Sequence, residues 1–203
     1  MSYFAEVEDI AAFLQLEIST EVQVAAAQLA LRDVTAAIRN YCKQYLEIVD
    51  DEAITLDSSG GTRLYLPELP VIEVSAVVED GETLTVDDDY KLGQHGILHR
   101  IGRRWAAGIQ IATVTYTHGY AVIPDDIVAV CVRAASRSYQ AGLRAADSEG
   151  VMGVASKALG DFSVAYASES GGGVGEGIMG ASAARMLLMS EKDLLDEYRL
   201  KRP

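Results

Sequence analysis

Val114-Thr-Tyr-Thr-His-Gly-Tyr-Ala-Val-Ile-Pro-Asp-Asp-Ile127 is the stretch whose reading settles how helix and sheet are joined in this chain. Val114 and Tyr116 alternate with Thr115 and Thr117, the period of two that marks a half-buried strand. Gly119 then supplies the backbone freedom needed for a sharp exit. Pro124 suits the first turn of a helix, because the N–H it lacks would have no partner there. Asp125 and Asp126 bring negative charge to the positive end of the helix dipole. Adjacent helix residues point in different directions, so this aspartate pair reads as a cap and not as an acid–base couple.

Working outward, the same period of two governs the residues before this joint. It runs through Ile54 and Leu56, then Leu64 and Leu66, and is interrupted at Pro67 and Pro70, since proline cannot donate to a central ladder. Ile72, Val74, Ala76 and Val78 alternate with Glu73, Ser75, Val77 and Glu79, and Asp80-Gly81 signals a tight hairpin leading into Thr83–Val86. Further short strands are expected over Tyr90–Leu92, Ile97–Ile101 and Ile109–Thr117, with turns at Gly93, Gly96, Gly102 and Gly108.

Helical periods flank this region on both sides. A short helix is expected over Asp9–Leu16, and Thr20 with Gln23 forms a capping-box pattern ahead of a long one. Val24, Ala27, Leu31, Val34, Ile38, Tyr41, Tyr45 and Ile48 recur at steps of three and four, which places them on one face of a rod of roughly 25 residues and about 38 Å. After the joint, Ile127, Cys131, Ala135 and Tyr139 continue a helix to about Ala145. Asp147–Gly153 reads as a loop, Phe162–Ala167 as a short strand, and Ala181–Leu200 as helical, with a break at Ser190. The expected class is α+β: a helical frame with an inserted small antiparallel β-sheet or barrel. The long second helix, the helix from Pro124 and the C-terminal helix make up the frame. Residues 1–51 and 121–203 form the helical core, with a glycine-rich linker at 168–180 and a C-terminal helix and tail, and 52–120 form the insertion.

Composition narrows the function classes. The chain has 203 residues and a formal net charge of -13, which argues against a surface built to grip phosphate. Acidity of this kind favours solubility. No apolar run approaches the roughly 20 residues of a membrane span, and the first residues show no signal-peptide pattern, so synthesis in the cytosol is expected. Cys42 and Cys131 lie far apart within helical patterns, as free thiols would.

No set of residues builds an active site. Gly175-Glu-Gly-Ile-Met-Gly180 matches a dinucleotide fingerprint, yet too little chain follows to supply the next parallel strand and its acidic residue. A flexible linker explains it, so no cofactor is expected. Asp87-Asp-Asp89 lacks the later ligands of a calcium loop and reads as a solvated turn. His95, His99 and His118 have no cysteine or second histidine at metal-ligand spacing, so they are read as surface or hydrogen-bonded residues, with no metal. No nucleophile elbow or activated cysteine is present. Arg100, Arg103, Arg104 and Trp105 form a basic–aromatic cluster that suits a hairpin tip or an intersubunit contact. The basic end, Tyr198, Arg199, Leu200, Lys201 and Arg202, is a candidate partner-binding segment.

The order of these pieces resembles the head-to-tail adaptor (connector) proteins of tailed bacteriophages. A short helix precedes a long one. Leu66-Pro-Glu-Leu-Pro-Val71, Ile97-Leu-His-Arg100, Trp105 and Gly108 follow, then Val114-Thr-Tyr-Thr-His-Gly-Tyr120, Pro124-Asp-Asp-Ile127 and Gly160-Asp-Phe-Ser-Val164. The resemblance implies a non-enzymatic virion protein, assembled in the host cytoplasm. It would sit at the neck as a ring, usually of twelve copies, between the portal and a stopper or tail-completion protein. It would continue the DNA channel without specific DNA binding and without contact with a membrane. The alternatives are a tail-completion or other ring-forming neck or tail protein and, in another class, a small acidic enzyme.

Overall fold

Thr20 and Gln23 make the reciprocal contacts of the expected capping box. The Thr20 N–H donates to Gln23 Oε1 at 3.2 Å and the Gln23 N–H to Thr20 Oγ1 at 3.3 Å. Helix α2, Glu21–Cys42, begins directly after this cap. The computed structural model describes residues 3–147, 156–159, 162–165 and 186–200. Its chain divides into two compact units, Met1–Ala37 with Val130–Leu188 and Ile38–Ala129 with Met189–Pro203.

The first unit is built from amphipathic helices. Helix α1, Val7–Leu14, closes on Gln15 in the left-handed conformation. Ile10 is buried, as are Ala27, Leu31 and Val34 on α2. Helix α3, Asp125–Asp147, contributes Cys131, Ala135 and Tyr139 to this core as its periodicity predicts. The Thr35 hydroxyl accepts the Phe4 N–H at 3.4 Å and lies 3.8 Å from Cys131 Sγ. Burial pushes the Cys131 thiol up to about 11, and both cysteines are free and buried. The unit also holds a small antiparallel hairpin whose strands sit at Ser156–Leu159 and Phe162–Ala165. The expected loop at Asp147–Gly153 and the glycine-rich stretch at 168–180 lie essentially outside the described residues.

The second unit carries the expected antiparallel β-structure, arranged as two sheets. The larger has the order β1-β7-β3-β4 and the smaller β2-β6-β5. In chain order the strands are β1 (Val49–Ser59), β2 (Arg63–Tyr65), β3 (Val71–Glu79), β4 (Glu82–Leu84), β5 (Tyr90–Leu92), β6 (Ile97–Arg100) and β7 (Ala107–His118). The hairpin strands in the first unit are therefore β8 and β9. Asp80 and Gly81 both have positive φ, 50° and 85°, as a two-residue type I′ turn requires. Between the sheets' inner faces lie Leu64, Leu66, Val77, Tyr90, Leu98, Trp105, Ala112, Val114 and Tyr116. Among the described residues no helix is long and apolar enough to cross a membrane.

Three expectations need correction. Helix α2 ends at Cys42 because Lys43 takes φ 61°, so Tyr45 and Ile48 leave the helical stripe and are exposed while Leu46 is buried. On β3, register shifts near Val71–Glu73 and Val74–Ala76 break the simple alternation. Ile72 is consequently exposed, and Val77 and Glu79 turn inward. The C-terminal helix, α4, runs over Met189–Leu195 and not Ala181–Leu200: it starts one residue before the expected break at Ser190, residues 186–188 ahead of it are not helical, and it ends five residues early.

Gly119 behaves as the sequence predicts, for a reason the sequence does not show. Its φ is 90°, and a Cβ at this position would collide with the Glu47 carbonyl. Only glycine lets β7 leave the sheet this close to the neighbouring backbone. The Gly119 N–H donates to the Pro70 carbonyl at 2.9 Å and the Tyr120 N–H to that of Leu46 at 2.8 Å, so the joint is pinned on two sides.

Candidate functional site

The C-terminal segment, where partner binding is expected, is held by the second unit's own residues. The Tyr41 hydroxyl donates to Asp196 at 2.7 Å, and the cations of Lys192 and Arg199 lie over its ring at 5.8 and 5.3 Å. Gln44 uses both ends of its amide, donating to the Tyr198 carbonyl at 2.7 Å and accepting the Leu69 N–H at 2.9 Å. The Leu200 N–H completes the attachment by donating to the Cys42 carbonyl at 2.9 Å. Tyr198 meets the ring of Tyr120 edge-on at 6.0 Å, and its hydroxyl reaches Asp126 at 3.4 Å. A cleft of about 370 Å³ opens beside this segment, lined by Pro70, Gln94, His95 and Arg199 among others. Of the expected partner-binding residues, Tyr198 and Leu200 are half-buried and Arg199 is exposed. Lys201 and Arg202 lie outside the described residues.

The basic–aromatic cluster is not a surface anchor at Arg100 and Trp105. The Arg100 side chain is 1% exposed and pairs with Glu79 at 3.1 Å and Asp89 at 3.2 Å, while its guanidinium lies 5.5 Å from the centre of the buried Trp105 ring. Glu79 also accepts the Ala106 N–H at 2.7 Å. A buried charge needs a partner of opposite sign and saturated hydrogen bonds, and both are supplied here. Arg103 and Arg104 remain exposed. Asp89 belongs to the predicted acidic turn. Hydrogen bonds from the Thr85 N–H and then from Arg100 hold its carboxyl below the usual range, which makes it a structural acceptor.

The histidines separate. His95 is exposed with φ 57° and His99 is half-buried. His118 is fully buried, with Glu52 Oε2 2.8 Å from its Nε2 and Glu68 Oε2 3.3 Å from its Nδ1. Its ring lies against Tyr116 at a centroid distance of 4.9 Å. Burial raises the Glu68 carboxyl above its ordinary value, with His118 pulling it down and Glu52 adding to the rise. The Tyr116 hydroxyl is also raised, first by burial and then by the charges of Glu68 and Glu52. Sequence reasoning missed Glu52 and Glu68 as partners, because they lie 16 positions from one another and 66 and 50 positions from His118, spacings that carry no motif. The apparent fingerprint at Gly175–Gly180 lies outside the described residues.

Comparison with known proteins bears on the whole fold. The family model described as "Head completion protein" matches residues 4–133. Among solved structures, a chain from the neck of an empty gene transfer agent particle, computed with six-fold symmetry, is 18% identical with a TM-score of 0.52, covering 97% of this chain and 90% of that one. A chain from the virion of a native gene transfer agent particle is 16% identical with a TM-score of 0.51 and the same coverage. At these identities the likeness is one of fold. No curated protein matches the chain.

Proposed function

The chain belongs to the head completion protein family, and from that premise we propose that it is a non-catalytic, ring-forming structural protein of a virion neck, the head-to-tail adaptor between portal and stopper. The family match carries this reading, since it takes in the helices before the β-rich region, that region itself and the joint at Val114–Ile127. The shared fold with chains of gene transfer agent neck and virion particles supports the same location. The ring has twelve copies on this reading, with residues 52–120 as an insertion in a helical frame. In a closed ring each copy presents two different faces to its neighbours. DNA passes through without being gripped, which suits a net charge of -13, because an acidic wall offers phosphate no counter-charge. Tyr198, Arg199, Leu200, Lys201 and Arg202 are proposed to face the portal, with Arg199, Lys201 and Arg202 as the charged contacts.

Electron microscopy of particles carrying this protein tests the location. Twelve-fold density at the head–tail junction is expected, and density confined to the tail overturns the adaptor reading in favour of a tail-completion role. Because α4 and Leu200 are part of the unit's own packing, the tail is better tested by charge reversal than by deletion. The triple variant Arg199→Glu, Lys201→Glu, Arg202→Glu should lose most of its retention on immobilised portal, and unchanged retention excludes these residues as the contact.

A further inference from the structure

We propose that Glu52, Glu68 and His118 form a binding site for a divalent transition metal that ties the exit of β7 to β1 and to the loop before β3. Each of the three residues offers one donor atom, and these atoms lie within 4.8 Å of one another. One imidazole nitrogen with carboxylate oxygens is the donor set that zinc, manganese and iron accept, and it is softer than the all-oxygen cages of calcium and magnesium.

Unpartnered buried atoms point the same way. His118 is fully buried, its Nε2 is hydrogen-bonded to Glu52, and its Nδ1 has no hydrogen-bond partner. Glu68 Oε2, 3.3 Å away, is buried and also has none. If Nε2 carries the ring proton, Nδ1 is a lone-pair acceptor facing a second acceptor, an arrangement that a buried site tolerates with a proton or a metal cation between them. Their separation equals the edge of a tetrahedron around an ion with bonds of about 2.0–2.1 Å, the zinc–nitrogen and zinc–oxygen range. The Tyr116 hydroxyl, buried near the Glu68 backbone N–H without a well-formed hydrogen bond, is a third such atom beside the cluster. Glu52, with 43% of its side chain exposed, opens the site to solvent. It holds the far ring nitrogen as second-sphere carboxylates do for metal-bound histidines, and it is close enough to become a ligand itself.

The experiment uses the full chain, without a histidine tag and dialysed against chelator, titrated with Zn²⁺ by calorimetry. Co²⁺ absorption serves as the spectroscopic readout. The wild type should bind one zinc per chain, gain thermal stability on loading, and show visible d–d bands with Co²⁺. Glu68→Gln, which keeps the side-chain shape, should lose the bands, and Glu52→Gln should weaken binding by roughly 10-fold or more. His118→Asn should bind no metal if it folds, and Glu68→Gln decides the matter if it does not. Absence of stoichiometric zinc in the wild type overturns the proposal. Binding that survives in Glu68→Gln with unchanged affinity overturns it as well. None of these outcomes depends on the neck assignment.

Discussion

A hydrogen atom where other residues carry a Cβ lets β7 turn away at Gly119 beside the Glu47 carbonyl. Two penalties would fall on a side chain there, the left-handed backbone at φ 90° and the overlap with a backbone atom that has no rotamer to escape into. Gly102 shares only the first, with φ 69° and nothing within 4 Å of an added Cβ. Gly119→Ala should therefore cost about 3 kcal/mol or more, and Gly102→Ala about 1 kcal/mol, the usual cost of the left-handed conformation. Thermal unfolding of the two variants checks the contrast, and equal melting temperatures would show that the Glu47 approach is not rigid. The need for glycine was legible in the sequence from the strand pattern that ends there, but Glu47 as the obstacle was not. His118 shows the same division. Continuing the alternation from Val114 and Tyr116 places it on the inner face, and running back from Ile54 and Leu56 does the same for Glu52. That the two rows meet depends on pairing β1 with β7, Glu52 opposite Tyr116, and no local pattern encodes it.

Among elements, the ends marked by local backbone chemistry were the most legible. Helix α2 starts where its capping box says and the β3–β4 hairpin turns where Asp80-Gly81 says, because each signal is a local backbone requirement. Tyr45 and Ile48 fit the helical period and yet lie outside α2, since the left-handed Lys43 ends the helix with neither glycine nor proline to announce it. The alternation on β3 failed for a related reason, as bulges shift the register without a sequence mark. Arg100 and Trp105 read from the sequence as contact residues because charge implies exposure, and simple alternation along β3 puts Glu79 on the solvent face, which hides its partnership with Arg100. The cap at α2 is the element-scale test. Thr20→Ala removes the acceptor for the Gln23 N–H and should destabilise the chain by about 1 kcal/mol, with little change in helix content at low temperature. Denaturant titration followed by circular dichroism measures this, and an unchanged midpoint would mean that the interior of the helix, not its cap, sets its stability.

For the molecule as a whole, charge and exposed apolar surface set the terms of assembly. Each copy carries a formal net charge of -13, so bringing copies together in the proposed ring concentrates like charge. Val22, Ile109, Val122 and Met189 are at least 75% exposed, and apolar contacts of this kind gain from association whatever the salt. Salt acts on the other term, shortening the reach of repulsion from about 30 Å at 0.01 M to about 3 Å at 1 M. Self-association should therefore strengthen as salt rises, the reverse of what ion pairs between copies would produce. Sedimentation velocity at a fixed protein concentration, stepped from low to high salt, should show larger species appearing. Dissociation on adding salt would show instead that cross-copy ion pairs, with exposed Arg103 and Arg104 the first to examine, hold the proposed ring together. The same charge predicts that duplex DNA is not retarded by the protein even at low salt, where phosphate contacts are strongest. A mobility shift that fades as salt is added would mean that the basic residues gather into a patch strong enough to overcome the net charge, and the channel wall would then grip the DNA it is proposed to let pass.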